Sequence, residues 1–180
     1  MVDIAKNRSV SRAVQLIEVG LRSPIVVLDT GLPETSIRSI ARQMKENRRA
    51  PSGSLPSVTN IARTKSDVVE LSLLAVIYER LGGKYIYDSI DLDCLIEAHS
   101  IYSSVRVSLG DCMSRQPVDI NCAWVLARSM RSDEVWLRKC KKCTATYIAF
   151  PCDKQVSGCP FCQIASRSTK TTESRHETDE

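Results

Sequence analysis

Aromatic residues are scarce, at 5% of 180 positions, so any hydrophobic core has to be assembled mainly from Leu, Ile, Val and Ala. Apolar residues still reach 43%. That is enough to bury a core in one domain of ordinary size, or in one domain with a small appendage. No stretch approaches the roughly 18 uninterrupted apolar residues of a membrane span. The opening MVDIAKNRSV also lacks the apolar run of a secretory leader. The expectation is a soluble, cytoplasmic protein with no membrane partner. There is no Gly-rich phosphate loop and no evident nucleophile–base pair. Asp88, Asp91 and Asp93 read as helix-start and surface residues rather than a nuclease site. The expectation is therefore a protein that is not an enzyme and takes no small-molecule substrate. No internal repeat is present.

Cysteine, by contrast, occurs eight times. Without an export leader, metal ligation is favoured over disulfides. Cys140, Cys143, Cys159 and Cys162 follow the spacing Cys-x2-Cys-x15-Cys-x2-Cys. A two-residue gap lets both thiolates of a knuckle face one centre, and two knuckles supply the soft tetrahedron that zinc favours. The intervening residues suffice for a short strand pair, with turns at Ser157-Gly158 and Pro160. One structural Zn2+ per chain is expected. A shell of four thiolates leaves no position for water, which argues against zinc catalysis. A redox dithiol is the competing reading, and two paired knuckles in one small unit weigh against it. The neighbouring Arg138, Lys139, Lys141 and Lys142 offset the dianionic charge of a zinc tetrathiolate and need not touch nucleic acid. Cys152 has no knuckle partner and reads as a bystander. Cys94, Cys112 and Cys122 read as small apolar fillers in or near helices. His99 reads as a core or surface residue of a helix, and His176 lies in the tail.

Periodicity predicts a chain of helices. Val10, Ala13, Val14, Ile17 and Leu21 make one apolar face over Val10–Gly20. Ser23-Pro24 opens a short second helix carrying Ile25, Val26, Val27 and Leu28. Thr30-Gly31-Leu32-Pro33 is a turn. A third helix follows from Glu34, with Ile37, Ile40, Ala41 and Met44 at helical spacing. Ala50–Pro56 is a loop. Ser66 is expected to cap a helix to about Leu81, and that helix is apolar nearly all round. Such a helix needs cover, which leads to the expectation of a protein partner. Another helix spans Asp91–Leu109, and Pro117 precedes a last one carrying Ile120, Ala123, Trp124 and Ala127. Thr144–Phe150 fits a strand, and the polar tail 166–180 reads as disordered. The expected fold class is mainly α: a helical bundle with a C-terminal four-cysteine zinc-ribbon-like unit. The expected division is a helical domain over 1–131, the zinc unit over 132–165, and the tail.

Charge is unevenly spread. Residues 1–63 carry ten Lys/Arg against five Asp/Glu, residues 64–130 six against nine, and residues 131–163 six against three. Two basic segments flanking an acidic one point weakly to a nucleic-acid partner. Residues 23–49 read as helix, Gly-containing turn, basic helix, a possible helix-turn-helix. Arg38, Arg42, Lys45 and Arg49 line one face of its second helix, with Arg48 beside them. The DNA-contact reading stands against a solvated face of a bundle helix.

Several segments together resemble one family. They are SRAVQLIEVGLR, TGLPETSIRSIARQMK, the PSGSLP loop, the NCAWVLAR helix and the pattern KCKKCTATYIAF…GCPFC. The chain resembles the FlhC family, the C subunit of the bacterial flagellar master transcription activator, from about Arg12 to Cys162 and most loosely over 60–87. The resemblance implies a largely helical protein with zinc ligands at Cys140, Cys143, Cys159 and Cys162. It also implies a cytoplasmic hetero-oligomer with the small helical D subunit, which binds promoter DNA and recruits RNA polymerase to flagellar operons. The alternative is a zinc-ribbon interaction adaptor without direct DNA contact.

Overall fold

The computed structural model describes residues 4–44, 54–109, 116–151 and 158–173. Contacts divide the chain into two units, Met1–Leu55 and Pro56–Glu180. The expected boundary at 131/132 falls inside the second unit, where the hairpin and last helix that follow residue 131 pack on one of its helices.

The first unit holds α1 (Ile4–Val19), α2 (Ser23–Thr30) and α3 (Glu34–Met44). Helix α1 starts earlier than its apolar stripe, which begins near Val10, because its polar first turns are exposed. Pro24 sits in the first turn of α2, where a missing N–H costs nothing. Gly31 ends α2 with φ 68°, its N–H donating to Val27 O. Nothing lies near the Cβ position of Gly31, so backbone conformation alone asks for glycine there. Ala13, Leu16, Ile17, Leu21, Ile25, Val26, Leu32 and Ile37 form the core. Arg12 pairs with Asp29 at 3.1 Å and ties α1 to α2. Leu28, part of the apolar run of α2, is 71% exposed. Val14, Ile40, Ala41 and Met44 are half-buried.

The second unit is built around α5 (Lys65–Gly82). A capping box opens it: Thr64 Oγ1 accepts from Asp67 N–H, and Asp67 Oδ2 accepts from Thr64 N–H. The cap is thus Thr64 rather than Ser66, because Asp67 stands three residues after Thr64 and can close the reciprocal pair. Around α5 pack α6 (Leu92–Leu109), α7 (Ile120–Arg131), a 3-10 turn (Gly83–Tyr87), the strands β1 (Trp136–Lys139) and β2 (Thr146–Ala149), and α8 (Pro160–Glu173). The short α4 (Val58–Ile61), capped by Ser57, packs on α7. Val68, Leu71, Leu74, Ala75 and Tyr78 are buried. The all-round apolar character of α5 is therefore met by this chain itself and does not of itself require a partner. Helix α6 buries Leu92, Leu95, Ala98 and Tyr102, and leaves Ile101 on the outside. Helix α7 is buried on more than one face, with Asp119 capping it through Asn121 N–H and Cys122 N–H.

Two polar residues of α5 lie inside this core, and each is satisfied by another element. Glu70, 1% exposed, accepts from Tyr102 Oη and pairs with Arg106 Nε at 3.2 Å. Burial, then the bond to Glu70, raises the Tyr102 phenol above its ordinary range. Tyr102 Oη also accepts from Val118 N–H at 3.0 Å, and Val118 O lies 2.8 Å from His99 Nε2. Ser72, fully buried, donates to Val68 O and accepts from Ile148 N–H of β2 at 3.0 Å.

The two strands pair antiparallel, with Trp136 opposite Ala149 and Lys139 opposite Thr146. Strand β2 falls inside the expected Thr144–Phe150, whereas β1 lies before the first cysteine. The strand pair is thus not enclosed between the knuckles: the first knuckle is the turn of the hairpin. Helix α8 continues to Glu173, past residue 166 where the sequence reading began a disordered tail.

Ser72 gives a direct test of how the hairpin is held. Ser72→Ala strips the buried Ile148 N–H of its acceptor and should destabilise the protein by about 1–3 kcal/mol. Urea unfolding measures the loss. Hydrogen exchange should show faster exchange at Ile148 than at the amides of α7.

Candidate metal centre

The four cysteines come from two structures of different kinds. Cys140 and Cys143 sit in the hairpin turn between β1 and β2. Cys140 N–H donates to Ala145 O at 2.9 Å and Thr144 N–H donates to Cys140 O at 3.1 Å, closing the turn tightly. Thr144 takes φ 62°, the left-handed conformation that reverses the chain. Cys159 and Cys162 sit at the start of α8. Gly158 reverses the chain at φ 82°, Pro160 occupies the first helical position, and Gln163 N–H donates to Cys159 O at 3.2 Å. The helix start gives both sulfurs one direction.

All four sulfurs lie within 4.8 Å of one another. Cys140 Sγ is 3.8 Å from Cys162 Sγ, and Cys143 Sγ is 3.5 Å from Cys159 Sγ. A disulfide would need about 2.05 Å. A tetrahedral ion with metal–sulfur bonds of about 2.3 Å sets sulfur–sulfur edges of about 3.8 Å. The cluster therefore has the dimensions of a tetrathiolate metal site, is compatible with zinc, and could hold one ion. Cys159 is buried, Cys140 and Cys162 are half-buried, and Cys143 is exposed.

The electrostatics suit a cation. Cys140 is lowered to about 6 by the backbone N–H groups of Cys143 and Lys142, the latter 3.4 Å from its sulfur. Cys162 is pushed up to about 12, first by its hydrogen bond with the Cys143 thiol and then by desolvation. Burial raises Cys159, although the N–H groups of Cys162 and Phe161 point at its sulfur. Without a cation, one sulfur ionises readily and two of its neighbours hold their protons. A dication at the centre reverses that preference.

The structure gathers the four predicted ligands and places the other cysteines apart from them. Cys94 and Cys122 are half-buried in α6 and α7, as expected of fillers; Cys112 and Cys152 lie outside the described residues. Of the predicted basic face, Arg38 and Arg42 are exposed on α3 opposite the buried Ile37. Arg38 pairs with Glu34 one turn earlier at 2.6 Å. Lys45, Arg48 and Arg49 lie outside the described residues. Ser72, which anchors β2, was missed because a serine in an apolar helix gives no sign of which strand it meets. A cleft of about 310 Å³ borders α4, α5 and α7. Its carboxylates are engaged structurally: Asp67 and Asp119 cap helices and Glu70 holds Arg106.

A family model described as "Flagellar transcriptional activator (FlhC)" matches residues 3–175. Among curated relatives, the flagellar transcriptional regulator FlhC of Paraburkholderia atlantica is 27% identical over 170 residues, covering 93% of this chain and 76% of the relative. The same-named protein of Nitrosomonas eutropha is 23% identical over 171 residues, covering 93% and 85%. That of Proteus mirabilis is 24% identical over 174 residues, covering 93% and 84%. A match over almost the whole length takes in both the α2–α3 pair and the four-sulfur cluster, and the chain belongs to the FlhC family of flagellar transcriptional activators.

Proposed function

We propose that this chain is the DNA-binding C subunit of a flagellar transcription activator, working in the cytoplasm. It would join the D subunit in a hetero-oligomer, bind promoter DNA and recruit RNA polymerase to flagellar operons. The observation that carries the reading is the family match over residues 3–175. No helix among the described residues is long and apolar enough to cross a membrane. Zinc is the proposed ion, one per chain, held by Cys140, Cys143, Cys159 and Cys162. Four thiolates leave it no coordination position for water, so its role is structural and not catalytic. Promoter contact is assigned to α3 and the residues after it: Arg38, Arg42, Lys45, Arg48 and Arg49. The Arg38–Glu34 pair is exposed and weak, so a phosphate can compete for the guanidinium. For the D subunit, exposed apolar side chains offer contact surface, notably Tyr85 after α5 and Val107 on α6, both 81% exposed.

The metal assignment is tested by elemental analysis. Wild-type protein should carry about one zinc per chain. Cys140→Ser and Cys159→Ser should lose it and loosen the hairpin, because metal binding and local folding are coupled. Cys152→Ser should retain it; loss there would change the ligand set.

Metal loading should also fall in acid, since protons and the ion compete for the same sulfurs. Cys159 and Cys162, raised above the ordinary thiol range, release protons only when the ion enters. Affinity should therefore rise with pH through the neutral range, as read by competition with a chromophoric chelator. A pH-independent affinity would contradict thiolate ligation.

Co-expression with the D subunit should yield a stable mixed oligomer by light scattering. In that complex Arg42→Ala should weaken binding to specific and random DNA alike, and flatten the salt dependence by about one unit. Unchanged binding and slope would remove α3 from the interface. A complex that activates flagellar promoters without binding them would favour the adaptor reading.

A further inference from the structure

We propose that the cysteine hairpin is itself a contact surface for the phosphate backbone of duplex DNA, through Arg138, Lys139, Lys141 and Lys142. The proposal rests on the DNA-binding reading above and adds a second site to it, separate from α3.

The four cations occupy five consecutive positions and all are exposed. Strand pairing sets Arg138 and Lys139 at the end of β1 that runs into the turn, and Lys141 and Lys142 lie in the turn. Strand β2 is the strand that docks on α5 through Ser72, with Tyr147 and Ile148 buried. Strand β1 is exposed at three of its four residues. The cations thus gather at the turn end of the hairpin, with Arg138 and Lys139 on alternate faces of β1 and Lys141 and Lys142 in the turn between the strands. The acidic Asp133 and Glu134 precede β1, beyond its opposite end, and Glu134 accepts from Ser129 Oγ at 2.7 Å.

What marks this patch is its density: no other five consecutive residues of the chain hold four Lys/Arg. Like the exposed Arg42, none of the four has an anionic partner among the described residues. At Cys140 a backbone group, Lys142 N–H, and not a side-chain cation, meets the sulfur at 3.4 Å. Four side-chain cations exceed the dianionic charge of a filled tetrathiolate centre, so the hairpin keeps a positive excess. Closely spaced cations of this kind neutralise phosphates and release counterions. They give affinity and position, not sequence choice.

Trp136 supplies a local reporter. The chain has two tryptophans. Trp124 is 7% exposed in α7, while Trp136 is 40% exposed. Two residues along a strand, Trp136 and Arg138 share one face. DNA seated on the hairpin should change Trp136 emission, and Trp136→Phe should remove that change.

The test uses the full chain with the D subunit, a flagellar promoter duplex and a random duplex, from about 50 to about 200 mM salt. The double variant Lys141→Ala/Lys142→Ala should lower the slope of log affinity against log salt by about 1.8, and weaken binding roughly thirtyfold at about 150 mM on both duplexes. Zinc content should be unchanged, and Lys141→Arg/Lys142→Arg should bind like wild type. If the alanine pair loses zinc, Arg138→Ala carries the comparison, with an expected slope loss of about 0.9. Unchanged slope and affinity while wild type binds DNA would overturn the hairpin site and leave the α3 reading standing. Failure of wild type to bind either duplex would overturn both. Displacement of the DNA by duplex RNA or polyglutamate at equal charge concentration would show a general polyanion surface and reject duplex DNA as its ligand.

Discussion

Helix α5 carries apolar side chains around nearly its whole circumference, and the second unit is arranged to keep water off it. Helices α6 and α7, the hairpin and α8 each take part of that circumference. The arrangement puts strict demands on the polar residues α5 also carries. A buried carboxylate or hydroxyl without a partner costs several kcal/mol or about 1–3 kcal/mol respectively, a large share of the stability of any domain. Glu70 therefore holds Tyr102 and Arg106 of α6, and Ser72 holds the backbone of β2. These two polar contacts add direction to a hydrophobic packing that would otherwise tolerate sliding.

The hairpin needs such an anchor. Two four-residue strands are marginal alone in water, and β1 is mostly exposed. One face is secured by Ser72 and the buried Ile148. The turn end is secured by the four-sulfur cluster, which joins the hairpin to the start of α8. An ion held there would tie residues 140 and 162 together on a hairpin already docked to α5.

Two basic surfaces emerge, and they differ in how their cations are held. On α3, the described cations stand opposite a packed apolar face, and one of them is shared with a neighbouring glutamate. On the hairpin they stand without carboxylate partners among the described residues. The first lies on a helix and the second beside the four-sulfur cluster.

What the sequence determined by itself is local. The cysteine spacing carries the ligand set, because two-residue gaps force convergent sulfurs wherever the knuckles lie. Gly31 carries the break between α2 and α3, because only glycine enters the left-handed region without penalty. The start of α5 is legible only to within two residues: Thr64 takes the cap in place of the expected Ser66, because Asp67 three residues on closes the reciprocal pair. Tertiary structure decided the rest. It put Leu28 and Ile101 outside the core although both sit in apolar patterns. It made β1 from a segment of mixed Trp, Leu, Arg and Lys that has no strand pattern of its own. It also covered α5 with its own chain where composition suggested a partner. Ser72 meets Ile148 across 76 positions, and no periodicity spans that distance. Propensity and spacing act within a few residues, whereas burial and pairing are settled only when distant segments exclude water together.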